Sequence, residues 1–358
     1  MLDIVQPGLE TSIQDYPGRI GFWNQGFPPS GPMDSWSFRL ANLLVGNELR
    51  AAGLEAQYMG PTLRFQREAV IAITGADMQP KLDGQPAPMW ESIAVRKGQT
   101  LAMGPARSGV RAYIAIAGGI DTPLWLGSRS TFHKAGVGGF EGHALKAGQV
   151  VPVASGGGKP GRKVKAGKRP TFTTDKTWTI EVVPGPNDDW IDEEGRRRFL
   201  GSDWKLSSKS DRTGFRLDGP QWTFSEKAYN KAPENGSEPS NIIDQGYPLG
   251  AINLAGQTPI ILVNDGPSMG GFINPYTVPT AAFWKLGQSK PGDVYRFKSI
   301  TVDQAQDLHR SLNVRHAIFF TPRPEPCHFG AGANSYGHVL VPRHAPVARR
   351  TRLVEINR

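Results

Sequence analysis

The sequence predicts a mainly β protein built from two halves. Glycine and proline supply 43 and 30 of the 358 residues, which favours many short strands and turns over long helices. Between Thr62 and Ile120, apolar residues fall in short runs separated by turn sequences, a pattern typical of a barrel or a sandwich. A Gly- and Lys-rich segment near the middle of the chain then interrupts this pattern. Apolar residues make up 38% of the chain, enough for a substantial core.

Changes in composition set the predicted domain boundaries. We expect a first half over residues 1–153, a linker over 154–172, a second half over 173–300 and a closing helix with a tail over 301–358. Residues 221–239 are polar and predict a mobile insertion in the second half.

Charge, cysteine content and hydropathy predict which kinds of partner and site this protein lacks. The net charge is +9, but much of the excess lies in the linker and tail without interleaved aromatic residues, so we predict no nucleic-acid binding. The single cysteine, Cys327, excludes an internal disulfide and fits a reducing compartment. No leader and no stretch of about 18 apolar residues is present, which predicts a soluble, cytoplasmic protein without a membrane contact. Cys327 and His328 lack spaced partners, as do His133 and His143, so no metal site is predicted.

One helix is predicted near a long Gly-Pro-rich loop. Asp34 is its expected N-cap, and the helix runs from Trp36 to Val45 before Gly46 ends it. The loop from Ser30 to Asp34 has two interpretations. It is either an ordinary capped helix start or a place where free backbone N–H groups face an anion.

Two more helices are predicted in the second half. Asn187 or Asp188 is the expected N-cap of the first, which has an acidic first turn, a basic last turn and an end at Gly201. Thr301 and Gln304 form the sequence pattern of a capping box for the closing helix.

The most site-like stretch lies late in the second half. Residues Leu249 to Leu254 and Pro259 to Val263 predict two strands joined by a tight turn at 255–257. The loop from Asn264 to Gly271 follows, with an acid, an amide and a hydroxyl beside three glycines. Such a loop can hold a ligand at a strand end, although these residue types also occur in ordinary turns.

Six segments of the first half occur together, in order, as long motifs. They are residues 11–15, 28–34, 38–47, 60–63, 73–76 and 116–120. These segments resemble the family of biotin-dependent carboxyltransferase A/B subdomains. That family includes the first half of the urea carboxylase carboxyltransferase domain, the C subunit of 5-oxoprolinase and proteins called allophanate hydrolase subunit 2.

The resemblance implies a fold and an activity. The implied fold is a pair of cyclophilin-like β-barrel subdomains, and segments 239–244, 250–253 and 265–272 are more similar to the urea carboxylase branch. The implied activity is transfer of carboxylate from carboxybiotin to an amide nitrogen of urea or a related compound. In urea carboxylase a second, C/D half follows, and the active site lies between the halves.

The resemblance and the chemistry of urea together select candidate residues. Urea offers N–H donors and one carbonyl, so its site needs an acceptor for the nitrogens and a donor for the oxygen. We expect Asn241, Asp265 and Ser268 to be catalytic. The expected substrate-binding residues are Asn253, Tyr247, Gly270 and Gly271, and the expected cofactor-binding residues are Ser30, Gly31, Met33 and Asp34. Structural alternatives are that Asn253 bridges strands, Asp265 fixes its turn and Asp34 only caps a helix.

The resemblance also implies partners. The chain lacks a biotin carboxylase, a biotinyl segment and the C/D half, so we expect a C/D-type subunit, a biotin carboxylase that uses ATP, and a biotin carrier. Two alternatives remain open. One is a component of a 5-oxoprolinase-type, ATP-dependent hydrolase, and the other is a non-catalytic protein that regulates a partner.

Overall fold

The computed structural model describes residues 1–314 and 317–320 and is mainly β, as predicted. Predictions about five tail residues lie outside the described residues: His316, Cys327, His328, His338 and His344. The prediction that the halves are cyclophilin-like stays a prediction, as do the domain boundaries.

The first half contains eleven strands in two sheets. They are β1 (Leu2–Gln6), β2 (Glu10–Gln14), β3 (Gly53–Gln57), β4 (Thr62–Phe65), β5 (Ala69–Asp77), β6 (Lys81–Leu82), β7 (Gln85–Pro86), β8 (Ser92–Val95), β9 (Thr100–Ala102), β10 (Ser108–Ile116) and β11 (Val150–Val151). One sheet has the order β11-β1-β4-β9-β6-β7, and the other has the order β2-β3-β10-β5-β8.

The long central strands β5 and β10 are buried on both faces. Side chains alternate across a strand, so Ile73 and Ile114 join the core between the sheets, whereas Ala72 and Tyr113 point to the opposite face. Helix α1 (Ser35–Leu44) covers that opposite face. This two-sided burial explains why both strands appear in the sequence as nearly continuous apolar runs.

The second half is built around a closed barrel. The other strands of the described residues, in and around this barrel, follow in chain order. They are β12 (Arg162–Val164), β13 (Thr177–Pro184), β14 (Trp204–Leu206), β15 (Gly214–Asp218), β16 (Asn241–Gly246), β17 (Ala251–Ala255), β18 (Thr258–Leu262), β19 (Met269–Phe272), β20 (Tyr276–Thr277), β21 (Val294–Ser299) and β22 (Ile318–Phe320). The barrel order is β13-β20-β17-β18-β15-β14-β21, and β13 closes it by pairing in parallel with β21. Strands β16 and β19 form a separate two-stranded ribbon.

Four helices accompany the second half: α2 (Glu193–Gly201), α3 (Glu226–Tyr229), α4 (Phe283–Gln288) and α5 (Val302–Ser311). Helix α2 contributes Phe199 to the barrel core, where its ring stacks on Phe297 at 4.4 Å and on Tyr276 at 4.6 Å between ring centres. None of the helices within residues 1–314 is long and apolar enough to cross a membrane.

Two of the three predicted helix starts are confirmed. Asp34 caps α1, since its carboxylate accepts a hydrogen bond from the Ser37 backbone N–H at 2.9 Å. Thr301 and Gln304 form the predicted capping box of α5. The prediction of Asn187 or Asp188 as the cap of α2 was wrong. A short 3-10 turn follows those residues, and Asp192 caps the α-helix.

The strands of the site-like stretch form the predicted hairpin with shifted ends. Strands β17 and β18 pair antiparallel, with Ala255 opposite Thr258, and Gly256 in the turn adopts φ = +64°. The predicted strand at Leu249 begins later because Gly250 has φ = +88°. A side chain at Gly250 would collide with the Val278 carbonyl oxygen, so this glycine permits a close approach of two backbones.

Two polar segments are packed more closely than their composition indicates. The start of the predicted mobile insertion at 221–239 is anchored, because Trp222, Phe224 and Ala228 lie in the barrel core, whereas residues 229–239 are exposed or half-buried. In the predicted linker, β12 pairs with β22 and Val164 is buried against the α1 side of the first half. The packing of residues 222–228 was not predicted because their aromatic residues are scattered among polar ones.

Candidate functional site

A buried arginine connects the two halves. Arg212, in the loop before β15, donates hydrogen bonds to Asp265 Oδ2 at 3.0 Å, to Glu55 Oε1 at 2.6 Å and to the Gly31 carbonyl at 2.7 Å. Burial alone would lower the pKa of Arg212, but the nearby charges of Asp265 and Glu55 outweigh it and raise the pKa. The guanidinium of Arg212 therefore stays positively charged while it is bonded to Asp265 and Glu55.

Glu55 extends this arrangement to the loop before α1. Its Oε2 accepts hydrogen bonds from the Met33 backbone N–H and from the Tyr113 hydroxyl, both at 2.8 Å. The Tyr113 oxygen in turn accepts from the Asp34 backbone N–H at 2.8 Å. Burial raises the pKa of Tyr113 well above its usual value, which keeps the hydroxyl proton in place. A buried carboxylate and a tyrosine thus fix this loop.

Three backbone N–H groups of the loop from Ser30 to Asp34 already have partners inside the protein. The backbone N–H groups of Met33 and Asp34 are used by Glu55 and Tyr113, and that of Ser30 donates to the Asn264 carbonyl at 3.0 Å. These three groups are consequently not available to an anion.

The Asp34 carboxylate is also used inside the protein. Ser37 donates to it from its backbone and its hydroxyl, and the Gln288 side chain donates to Oδ2 at 2.8 Å. Burial raises the pKa of Asp34 even though these hydrogen bonds favour the ionised form. Its placement matches the capping alternative, and a role of Asp34 in holding a cofactor stays a prediction.

A polar cavity of about 560 Å³ lies beside Arg212. Its charged and polar lining includes Glu10, Arg111, His133, Arg212, Thr213 and Asp265. Four buried side-chain atoms of these lining residues have no hydrogen-bond partner within the described part of the chain: His133 Nε2, Thr213 Oγ1, the acceptor Asp265 Oδ1 and the donor Arg111 Nε. An unsatisfied buried polar atom costs about 1–3 kcal/mol, so a ligand that reached Asp265 Oδ1 and Arg111 Nε would gain from bonding to them.

The other ends of the two side chains are firmly held. Asp265 Oδ2 accepts from Arg212, while Arg111 donates to the Gly287 carbonyl at 2.8 Å and to Gln57 Oε1 at 2.6 Å. The Arg111 Nε atom is 3.9 Å from Glu55 Oε1, beyond hydrogen-bonding distance. Asp265 Oδ1 and Arg111 Nε are therefore an acceptor and a donor, on residues that line the cavity, whose side chains cannot easily turn toward other partners.

His133 lies at the same cavity and is held in its neutral form. Burial lowers the pKa of His133, and the nearby Glu10 carboxylate, 3.6 Å from Nε2, only partly offsets this effect. Arg212 adds to the lowering. A neutral imidazole at neutral pH can accept or donate one hydrogen bond to a ligand.

Two of the predicted catalytic residues, Asn241 and Ser268, lie on or beside the β16–β19 ribbon. Asn241 begins β16 opposite Phe272, whereas Ser268 directly precedes β19 at the other end, where Gly246 pairs with Met269. The Ser268 hydroxyl donates to the Trp23 carbonyl over 3.4 Å. Asn241 and Ser268 therefore do not share one end of the ribbon, and neither lines the polar cavity that Asp265 lines.

The remaining predicted substrate-binding residues pack within the second half. Tyr247 is buried and its hydroxyl bonds to both the N–H and the carbonyl of Phe272. A side chain at Gly270 would meet the Tyr247 ring, and one at Gly271 would meet the Ile242 carbonyl oxygen. Asn253 is buried, and its Oδ1 accepts from Asn274 at 3.5 Å. Their roles toward a substrate stay predictions.

Sequence reasoning missed most of the cavity's charged residues. Glu55, Arg111 and Arg212 are distant in the chain, so no motif joins them. A usable signal existed, because Glu55 and Arg111 interrupt apolar runs in β3 and β10, and a charge within a buried strand is rarely unpaired.

Comparison with known proteins identifies the family. A family model described as carboxyltransferase domain, subdomain A and B, matches residues 25–299. The chain belongs to this carboxyltransferase A/B family. It is similar to the urea amidolyase of Saccharomyces cerevisiae, with 42% identity over 320 residues that cover 87% of the chain and 17% of that protein.

This carboxyltransferase A/B chain is also similar to a 5-oxoprolinase subunit and to a urea carboxylase of known structure. It is 32% identical to the 5-oxoprolinase C subunit of Escherichia coli over 309 residues, which cover 85% of the chain and 93% of that protein. The crystal structure of the Kluyveromyces lactis urea carboxylase superposes with a TM-score of 0.83 at 39% identity, covering 88% of the chain and 29% of that structure. The chain thus spans less than a fifth of the urea amidolyase that it matches.

Proposed function

We propose that this chain is the A/B part of a urea carboxylase-type carboxyltransferase. In this role it binds urea or a urea-like amide and positions the nitrogen that receives a carboxylate. Biotin, carried by a partner, supplies that carboxylate when it is bound. The greater identity to urea amidolyase than to the 5-oxoprolinase C subunit supports the choice of branch.

The observation that supports the proposal is that Asp265 Oδ1 and Arg111 Nε, on two residues that line the polar cavity, have no hydrogen-bond partner among the described residues. Asp265 Oδ1 can accept an N–H of the amide, while Arg111 Nε can donate to its carbonyl oxygen. An N–H that donates to a carboxylate leaves its nitrogen richer in electron density and so more nucleophilic. The two bonds would also fix the plane of the amide relative to the incoming carboxylate.

The charge balance of the cavity favours a neutral ligand. Lys134 pairs with Asp211 at 3.3 Å at its edge, and Arg212 is balanced by Glu55 and Asp265. A fully charged ligand would upset these pairs, whereas urea would not. Asn241 and Ser268, at opposite ends of the ribbon, remain candidates for contacts made when a partner half covers this surface.

The partners are part of the proposal. We infer that a biotin carboxylase, a biotin carrier and a C/D half act together with this chain, since it matches only a portion of urea amidolyase. ATP would be consumed by the carboxylase and not by this chain.

A second candidate is a component of a 5-oxoprolinase-type hydrolase. The observation in its favour is length, because the chain covers 93% of the E. coli 5-oxoprolinase C subunit. In that case ATP would be consumed with 5-oxoproline in the absence of biotin.

Reconstitution with candidate partners separates the two functions. We expect urea-dependent consumption of ATP and bicarbonate that avidin abolishes, and we expect Asn241→Ala to lower the rate if the ribbon faces the reaction. Avidin-insensitive consumption of ATP with 5-oxoproline would instead establish the hydrolase. If neither urea nor 5-oxoproline were turned over, the result would favour a regulatory binding protein and would contradict the proposal.

A further inference from the structure

The polar cavity also has an apolar side, which a ligand as small as urea would leave uncovered. Its volume of about 560 Å³ lies within the range of roughly 300–1,000 Å³ that is usual for drug-sized ligands. Leu9, Tyr58 and Pro291 line it together with the charged residues, and we call these three residues the apolar wall. The cavity therefore has room, and an apolar surface, for more than the amide group of a ligand.

Leu9 is held at the cavity by the turn between β1 and β2. The preceding Gly8 has φ = +72°, and a side chain there would collide with the Met59 carbonyl oxygen, so this turn needs a glycine to approach the chain after β3. The Leu9 N–H donates to the same carbonyl at 3.1 Å, yet the residue remains 64% exposed. A single exposed leucine is common on protein surfaces, but this one lines a cavity.

Tyr58 reaches the cavity through a strained backbone. It adopts φ = +60°, which is rare for a bulky residue other than glycine. The strain is fixed on both sides, because the Tyr58 N–H donates to the Val110 carbonyl at 2.9 Å and its carbonyl accepts from the Ala106 N–H at 2.8 Å. Strained conformations persist only where the surrounding structure fixes them, and they cluster at ligand sites.

The Tyr58 side chain is half-buried among other residues of the cavity. Burial raises the pKa of its hydroxyl, and the charges of Arg111 and Glu10, which also line the cavity, act on the same group. Glu10 is the first residue of β2 and pairs with Gln57 of β3. Leu9 and Tyr58 lie just beyond that pair, one on each strand, so the two are neighbours at one end of the ladder.

We propose that the polar cavity binds an N-substituted urea with an apolar substituent, and that Leu9 and Tyr58 determine this specificity. The inference rests on the proposed function for the amide end, which would bond to Asp265 and Arg111. The substituent would lie against the apolar wall, where it removes apolar surface from water and contacts the Tyr58 ring.

Four small neutral probes test the two ends of such a ligand. Phenylurea and n-butylurea carry an apolar substituent, methylurea keeps the amide end with almost none, and benzyl alcohol has a ring without the amide. Binding to the full chain is measured by titration with saturation-transfer NMR. We expect phenylurea or n-butylurea to bind about tenfold more tightly than methylurea, and benzyl alcohol to bind about tenfold more weakly than phenylurea.

Three results would overturn the inference. The first is equal affinity for phenylurea, n-butylurea and methylurea. The second is no saturation transfer to phenylurea or n-butylurea at millimolar concentration, or binding of benzyl alcohol as tight as that of phenylurea. The third is displacement of phenylurea by free biotin, which would assign the apolar wall to the carried cofactor.

Matched variants test the two residues of the wall. Leu9→Gln and Tyr58→Asn should each weaken phenylurea about tenfold without weakening methylurea, and asparagine tolerates the backbone conformation at position 58. Tyr58→Phe keeps the ring and should keep the affinity. Leu124→Gln is the control, since Leu124 is 58% exposed but does not line the polar cavity. Thermal unfolding checks that the variants fold, and unchanged phenylurea affinity in both Leu9→Gln and Tyr58→Asn would refute the wall.

Asp265→Asn separates this inference from the proposed function. Weaker binding of phenylurea and methylurea alike in this variant would support the amide end of the proposal. Unchanged affinities, with the preference for phenylurea retained, would count against the proposed position of the amide and would still support the apolar wall. Because binding is measured on the chain alone, failure of the carboxylation assay would bear on the proposed function only.

Discussion

Among single residues, Arg212 shows how the interior of this chain depends on paired charges. Its side chain is 9% exposed and neutralises Glu55 and Asp265, whose side chains are 5% and 4% exposed. Removing the arginine would leave the buried Asp265 without its cation and Glu55 with only Arg111 at 3.9 Å, which costs far more than the intact pairs contribute.

We therefore expect Arg212→Met to lower the free energy of unfolding by about 3–5 kcal/mol in denaturant titrations. The matched control is Arg296→Met, which breaks the exposed pair with Asp203 and should change stability little. Similar effects of the two substitutions would contradict the importance assigned to the buried cluster.

At the scale of elements, helix caps differ according to what surrounds them. The Asp34 cap of α1 is fully buried and also binds Gln288, whereas the Thr301 cap of α5 is exposed. Helix α1 covers the five-stranded sheet, and its cap also links the start of the helix to Gln288 at the end of α4.

Asp34→Ala should consequently cost about 2 kcal/mol, the upper range for cap substitutions, and Thr301→Ala about 1 kcal/mol or less. Both values come from chemical unfolding followed by circular dichroism. A larger loss for Thr301→Ala than for Asp34→Ala would show that burial of the cap is unimportant here.

Local signals explain which elements could be predicted. The Asp34 cap, the Thr301–Gln304 box and the hairpin turn at Gly256 depend on residues a few positions apart, and all three are found. The N-cap of α2 was predicted at the wrong residue because several acidic residues near Asp192 fit a cap equally well. The packing at the start of the segment 221–239 was not predicted, because its polar composition conceals three side chains that are buried in the barrel core.

For the whole molecule, long-range partners determine the candidate site and explain why the sequence revealed little of it. Arg212 meets Glu55 across 157 residues and Asp265 across 53. The sequence identified the loop that contains Asp265, yet only folding reveals that Asp265 and Arg111 line one cavity. Tertiary contacts of this kind leave no fixed spacing in the chain.

The His133 environment predicts a pH dependence of stability. Burial lowers the pKa of His133 in the folded chain below 6.5, so the unfolded chain binds its proton first as the pH falls. Folding stability should therefore decrease as the pH falls below about 6.5. The surrounding charges are Glu10, Glu55, Arg212 and Asp265, with Lys134 and Asp211 at the cavity edge.

Unfolding titrations between about pH 5 and pH 7.5 test this effect in the wild type and in His133→Gln. The difference in stability between the two proteins should shift in favour of the variant at lower pH. A constant difference across this range would show that His133 does not titrate as described.

The central claim is that Asp265 holds the amide that accepts the carboxylate, and steady-state kinetics of Asp265→Asn in the reconstituted enzyme tests it most directly. A hydrogen bond to a charged group is worth about 1.5–3 kcal/mol, so kcat/KM for urea should fall by about 10- to 150-fold. ATP turnover of the biotin carboxylase partner without urea should stay unchanged, and thermal unfolding should show that the variant remains folded. An unchanged kcat/KM for urea in a folded variant would contradict the claim.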